Sequence, residues 1–341
     1  MTLAAKAQRC EDEVFSLHLQ DGLVIGHKVD PAGEVLYTNE NCGLWTGRLL
    51  SALSLKWSVT GDARARAAAH RIARSLERLE QVTGVPGMTA RQYKKMQGPG
   101  PDERPSRRSD RWYQGPQYRW LSDVSTDEMT WFLTGLADYI GLCAEGEYRR
   151  RACALMRRVL GRILDYGMRI VEPDGTVTMW GDCSRATPKE PLYCLHGLGY
   201  LKRGELFAGE PRFADAYDEY VLDEEYFRQA VNCYRLGTDL NYWSRADWML
   251  SAPEFEVLIK HDRRPQRRAL LTEGLLEAAT APQADVYGPL CSAVLGLGGK
   301  DRVRDWLERW TLADDTDGTE KGSYHWVYWK ARSAGIIGAE D

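Results

Sequence analysis

The segment LWTGRLLSALSLKWSVTGDARARAAAHRIARSLERLEQVTG, residues 44–84, constrains the fold more than any other part of the chain. Apolar residues recur at helical spacing through Leu49, Ala52, Leu53 and Trp57, and again through Ile72, Leu76, Leu79 and Val82. Between the two runs Gly61 supplies a helix stop and Asp62 an N-cap. A connection this short makes the two helices antiparallel neighbours. The same unit returns in looser form at 128–167, 195–221 with a further helix at 223–234, 247–279 and 285–310. The N-terminal EDEVFSLHL and the aromatic C-terminal segment could complete the set. Pro253 is expected to kink its helix, because it removes one backbone hydrogen bond.

Repeated antiparallel hairpins either stack into an open superhelix or close into a toroid. About six hairpins of irregular period point to closure. The fold expected is therefore all-α, an (α/α)6 barrel in one domain over 1–341, with apolar inner helices and charged outer ones. The Arg-rich second helices of hairpins one, two and four fit the outer ring. Two short segments, GLVIGHKV and GTVTMWGD, read as strands. The stretch at about 84–121 is polar and rich in Pro and Gly, and reads as a long loop.

The totals exclude several classes. The net charge is −4 and no single-sign block dominates, so a nucleic-acid partner is not expected. The arginines of residues 104–111 read as a solvated loop. No apolar run reaches the ~20 residues that span a bilayer. MTLAAKAQRCEDEV lacks a signal-peptide core, so a cytoplasmic chain without a membrane partner is expected. The 8 cysteines show no C-x-x-C spacing, against a zinc site or a disulfide framework. No phosphate-loop, dinucleotide, H-E-x-x-H or G-x-S-x-G pattern occurs, and neither metal nor cofactor is expected. The 12 Trp and 17 Tyr exceed the needs of a core this size; aromatics with a polar edge also suit sugar faces.

ENCGLWTGRLLSALSLKWSVTGD, VTGVPGMTAR, WLSDVSTDEMTWFL and TVTMWGDCS, in this order, resemble a family of bacterial six-hairpin proteins related in architecture to the (α/α)6 glycosidases. The resemblance covers about residues 20 to 300. It implies the toroid and, through the wider superfamily, carbohydrate processing. The chain departs from the family pattern in two places. Cys42 stands where the family usually has Asp. The last acidic motif appears as Asn-Tyr-Trp-Ser-Arg-Ala-Asp at 241–247, with Arg245 intruding.

Glycoside hydrolysis typically uses two carboxylates on opposite sides of the scissile bond. Asp123 and Asp127 are the first candidates, in a loop and first turn that would rim a toroid's cavity. Ser125-Thr126-Asp127-Glu128 also reads as a capping box, with Ser125 as cap and Glu128 reaching back to its amide. Asp182 and Glu40 are candidates for the second acid; otherwise they are a strand-end turn and a cap-region acid. Trp45, Trp120, Trp180 and Trp243 lie at loop–helix junctions and, with Asn41 and Tyr242, would bind the substrate. Alternatively each tryptophan plugs the barrel end. The alternation of residues 324–329 fits a half-buried strand or a C-terminal plug, and His325 is the histidine to test as an acid or base. The expected partner is a saccharide or other small molecule; the oligomeric state is not readable. Elimination or isomerisation on the same fold, and a non-catalytic toroid binding a glycan or protein, are the alternatives.

Overall fold

The computed structural model describes residues 1–29, 35–95, 111–186, 190–233, 245–280, 285–311 and 318–341. The chain is predominantly helical. In order come α1 (Leu3–Glu13), α2 (Cys42–Thr60), α3 (Ala63–Gln81), α4 (Thr126–Leu142), α5 (Gly146–Asp165), α6 (Pro191–Phe207) and α7 (Arg212–Leu222). Then follow α8 (Glu224–Val231), α9 (Arg245–His261), α10 (Pro265–Thr280), α11 (Tyr287–Val294), α12 (Lys300–Arg309) and α13 (Gly318–Ser333).

The first connection forms as the sequence dictates. Gly61 closes α2 in the left-handed region, and the Asp62 side chain accepts from the Arg64 amide to start α3. α3 is amphipathic and buries Ala65, Ala69, Ile72, Leu76 and Leu79 along one face. Other helices are buried around their whole circumference: residues 46–56 of α2, 128–136 of α4, 194–204 of α6, 248–255 of α9 and 287–293 of α11. α13 is nearly as enclosed, from 323 to 331. The alternation at 324–329 is therefore part of a buried helix, not a strand.

These enclosed helices pack on one another in sequence. α2 contacts α4, α4 contacts α6, α6 contacts α9, α9 contacts α11, α11 contacts α13, and α13 contacts α2. The amphipathic helices lie against them: α3 on α2, α5 on α4 and α6, α7 and α8 on α6, α10 on α9 and α11, α12 on α11 and α13, α1 on α13. α9 continues across Pro253.

Short antiparallel strands decorate the helices. β1 (Leu19–Gln20) pairs with β2 (Leu23–Val24), and β3 (Gly26–Val29) with β4 (Val35–Asn39). β5 (Gln92–Lys95), β6 (Trp112–Gln114) and β7 (Tyr118–Leu121) form a three-stranded sheet in the order β5-β7-β6. β8 (Arg169–Val171) and β9 (Val177–Asp182) form a hairpin. The segment expected as one long loop at 84–121 thus carries a sheet at both of its described ends. Its Tyr and Trp residues supply the cross-strand packing that its many polar residues concealed.

The tightest approach is between α2 and α4. A Cβ on Gly47 would lie 2.2 Å from the Trp131 carbonyl oxygen, and one on Gly135 would lie 2.1 Å from the Gly47 oxygen. Neither neighbour is a side chain that can swing away. Gly47→Ala is expected to force the helices apart and cost about 3 kcal/mol. Urea denaturation of the two proteins measures this; an unchanged midpoint would mean that the crossing is not closely packed.

Candidate active site

The α2–α4 crossing sets the first turns of these helices beside each other, and Arg91 bridges them. Its guanidinium is 3 % exposed, so charge and shape must be met within the protein. Nη1 donates to the Asp123 carbonyl at 2.5 Å and lies 3.0 Å from Glu128 Oε2. Nη2 donates to Asn41 Oδ1. Asn41 is the residue before α2, but its side chain makes no cap bond. The capping reading holds for Ser125, whose hydroxyl accepts from the Glu128 amide at 3.4 Å. It fails for Glu128, which turns to Arg91; a buried carboxylate gains more from a guanidinium than from one amide.

Asp123 is built into the same clamp. It holds φ at +59°, a region that costs a non-glycine residue about 1 kcal/mol or more. Three bonds keep it there. Its amide donates to Glu172 Oε1 at 3.0 Å, its carbonyl takes the Arg91 bond, and its Oδ1 accepts from the Met179 amide at 3.2 Å. The side chain is buried and engaged by the hairpin, so Asp123 positions Arg91 through its backbone.

Asp127 is different. Burial pushes its carboxyl up to about 6, and the nearby charge of Asp247 pushes the same way; Arg91 and the Thr126 hydroxyl pull back only in part. Asp247 stands in the first turn of α9. Tyr193, in the first turn of α6, feels both acids: burial and then Asp127 raise its hydroxyl well above the ordinary value, with smaller contributions from Glu190 and Asp247. The N-terminal turns of α4, α6 and α9 therefore share one electrostatic neighbourhood, next to the Arg91 clamp at the start of α2. Two turns further along α6, Tyr200 donates to the Thr126 carbonyl at 2.5 Å and ties α6 to the start of α4.

The other expected residues divide. Glu40 is half-buried directly before α2, and its carbonyl accepts from the Cys42 amide at 2.8 Å. Cys42 is buried, and desolvation and then Glu128 push its thiol up, away from the thiolate form. Trp45 sits in the first turn of α2 with the Arg48 guanidinium 4.7 Å from its ring.

Four residues do not join this group. Asp182 ends β9, where Oδ1 accepts from the Ser184 amide at 2.8 Å and Oδ2 lies 3.3 Å from Arg169 Nε. Burial raises its carboxyl, but Ser184 and Arg169 outweigh that and hold it below the usual range. It is a turn aspartate. Trp120 is buried in β7 and stacks on Tyr113 at 4.6 Å, a sheet-core role. Trp180 is 47 % exposed on the β8–β9 hairpin. His325 faces α1, with Nε2 2.8 Å from Glu11 Oε2. There burial works against Glu11 ionisation, but His325 and Lys56 hold its carboxyl down to about 2. Tyr242 and Trp243 lie outside the described residues.

Sequence reasoning missed Arg91 and Tyr193 and read Asp247 only as the remnant of the altered acidic motif. The signal for Arg91 was its place at the end of the VTGVPGMTAR motif, and for Asp247 its place at the end of the altered acidic motif. Among the described residues, no group of three or more His, Cys, Asp or Glu could hold a metal ion. Comparison of the chain with protein-family models, curated proteins and solved structures finds no match.

The Asp127 carboxyl makes a stability prediction with a definite sign. Its folded value, about 6, lies above the ordinary 3.8, so the folded state holds the proton more tightly than the unfolded one. Stability is full below pH 3.8 and declines as pH rises toward 6. Asp127→Asn removes that decline. The variant should match the wild type near pH 3.5 and exceed it by up to about 3 kcal/mol above pH 7. Denaturation curves across this range test it; a gain equal at both ends would remove ionisation as its cause.

Proposed function

We propose that this chain is an (α/α)6 toroid that hydrolyses a glycosidic bond at the mouth formed by the N-termini of α2, α4, α6 and α9. The toroid reading is supported by the circuit of contacts among the enclosed helices, which returns from α13 to α2. The motif resemblance to six-hairpin proteins supports it independently. The reaction rests on one feature: Asp127 in the first turn of α4 is near enough to Asp247 in the first turn of α9 for that charge, together with desolvation, to push its carboxyl up.

In this reading Asp127 is the general acid. A carboxyl pushed up to about 6 keeps its proton through mildly acidic pH and can give it to the departing glycosidic oxygen. Asp247 supplies the second carboxylate, which either activates water or meets the developing positive charge at the sugar carbon. Asp247 thereby replaces Asp182, which Arg169 and Ser184 already occupy. Asn41, Tyr193 and Trp45 contribute hydrogen-bonding and aromatic edges to the sugar. Arg91 fixes Asn41 and neutralises Glu128, so that one acid of the α4 first turn is held and the other remains for chemistry.

Release of reducing sugar from a panel of neutral and uronate-linked oligosaccharides is the test. Turnover should require protonated Asp127 and fall as pH rises through about 6. Asp127→Asn should reduce it by about a thousandfold or more, within the 10²–10⁴ range of acid–base catalysis. Removing the like charge in Asp247→Asn lowers the Asp127 carboxyl, so any residual activity should lose its alkaline limb at lower pH. An Asp127→Asn protein as active as the wild type would sink this assignment. A chain that binds these sugars without cleaving any would be the non-catalytic toroid.

A further inference from the structure

The Arg-rich outer helices remain unused by the mouth. α3 carries Arg64, Arg66, Arg71, Arg74 and Arg78 against only Glu77 and Glu80. Its neighbour α5 carries six arginines against Glu147 and Asp165. The acids are already committed. Glu77 binds Arg151, and Glu80 binds Arg158 at 2.6 Å through two bonds. The α3 arginines divide by face. Arg66 reaches Glu145 at 2.7 Å, whereas Arg64, Arg71 and Arg74 are exposed and meet no carboxylate among the described residues.

Positions 64, 71, 74 and 78 fall on one face of a 3.6-residue helix, a line about 21 Å long. The line continues beyond α3. Arg78 lies 6.0 Å from the rings of both Tyr93 and Tyr118, on β5 and β7. On the same sheet Lys94 and Arg119 flank Trp112 at 5.3 and 5.1 Å. β7 then runs directly into Ser122, Asp123 and the first turn of α4. Cations thus form a track from the outer surface to the mouth.

We propose that this track binds an anionic polysaccharide, a chain of uronic acid units, and leads it to the mouth; the inference rests on the glycosidase reading above. Planar guanidinium forks match carboxylates in geometry as well as charge. A nucleic acid strand would also meet the charge, but it gains much of its affinity by stacking bases on open aromatic faces. Here the rings along the track already have side-chain partners. Tyr148 has His70 stacked against it at 3.8 Å with Arg74 at 5.8 Å, and Trp112 lies between two cations. Charge repeated at intervals along a saccharide is what the surface matches.

Affinity electrophoresis of the full chain in gels containing polygalacturonate tests this, with dextran and poly-dT gels alongside. The wild type should be retarded by polygalacturonate and not by dextran, and retardation should fall as salt rises. The triple variant R64E/R71E/R74E should bind at least about tenfold more weakly at an unchanged melting temperature. If the triple variant does not fold, R64E and R71E singly carry the comparison. Asp127→Asn should bind as the wild type does. Failure of the wild type to bind, equal binding by the arginine variants, or tighter binding to poly-dT would each overturn the proposal. Cleavage of neutral sugars without polyuronate binding would remove the track and leave the mouth's chemistry standing. Binding without turnover of any substrate would do the reverse.

Discussion

The glycine contact between α2 and α4 governs the geometry of everything above it. Gly47 and Gly135 let two backbones meet where any side chain would collide with main-chain atoms. Two helices this close bring their first turns together, so that one guanidinium can reach Asn41 at the start of α2 and Glu128 in the first turn of α4. With even one methyl group between the helices, Arg91 could serve one of these partners but not both. If Glu128 were the partner lost, it would be a buried charge without this counterion, which costs about 3–5 kcal/mol. Packing in the core and electrostatics at the first turns of α2 and α4 are thus one problem with one solution.

Lower in the bundle the same economy of space recurs. Arg203 of α6 pairs with Glu254 of α9 and donates to Thr134 of α4 at 2.9 Å, all of it out of water. Gly199 is what admits the Glu254 carboxyl, which occupies the space where a Cβ would stand. Burial pushes Glu254 up to about 7 despite the guanidinium, so desolvation outweighs the pairing there. Lys330 of α13 meets Glu256 of α9 at 2.8 Å, and Ser51 of α2 donates to Asp138 of α4. Such ionic contacts give little net stability, because each charge must first be stripped of water. They do fix register, since a helix that slid by one turn would strand them.

Local features were the legible ones. Gly61-Asp62, the Ser125 cap, the strands of residues 22–29 and 175–182 and the apolar periodicity of the hairpins each depend on neighbours a few residues away. What stayed hidden depends on partners far along the chain. Glu128 looks like a capping-box acid until Arg91 arrives from another loop, and Asp182 reads equally as a second acid or a strand-end turn until Arg169 pairs with it. Trp120 was placed at the mouth because it precedes a helix, but strand pairing turns it onto Tyr113. The charge total hid the basic face for a similar reason. A net −4 averages over the whole surface, whereas helical spacing gathers the unpaired arginines of α3 on one side.

The first turn of α4 also shows which force wins on a buried helix start. A carboxylate there should be favoured by the helix dipole, typically by about 0.3–1 kcal/mol and at most about 2. That effect alone would lower the Asp127 carboxyl. It stands near 6 instead of 3.8, a difference of about 3 kcal/mol in the opposite direction. Desolvation and the Asp247 charge must therefore exceed the dipole and the pull of Arg91 together. Glu128, one residue further along the same turn, is more deeply buried, yet it has the guanidinium at 3.0 Å. Of these two adjacent acids on one dipole, Glu128 is ion-paired with Arg91, whereas Asp127 feels that cation only through its charge. Asp127 makes no such ion pair among the described residues, and burial pushes its carboxyl up to about 6.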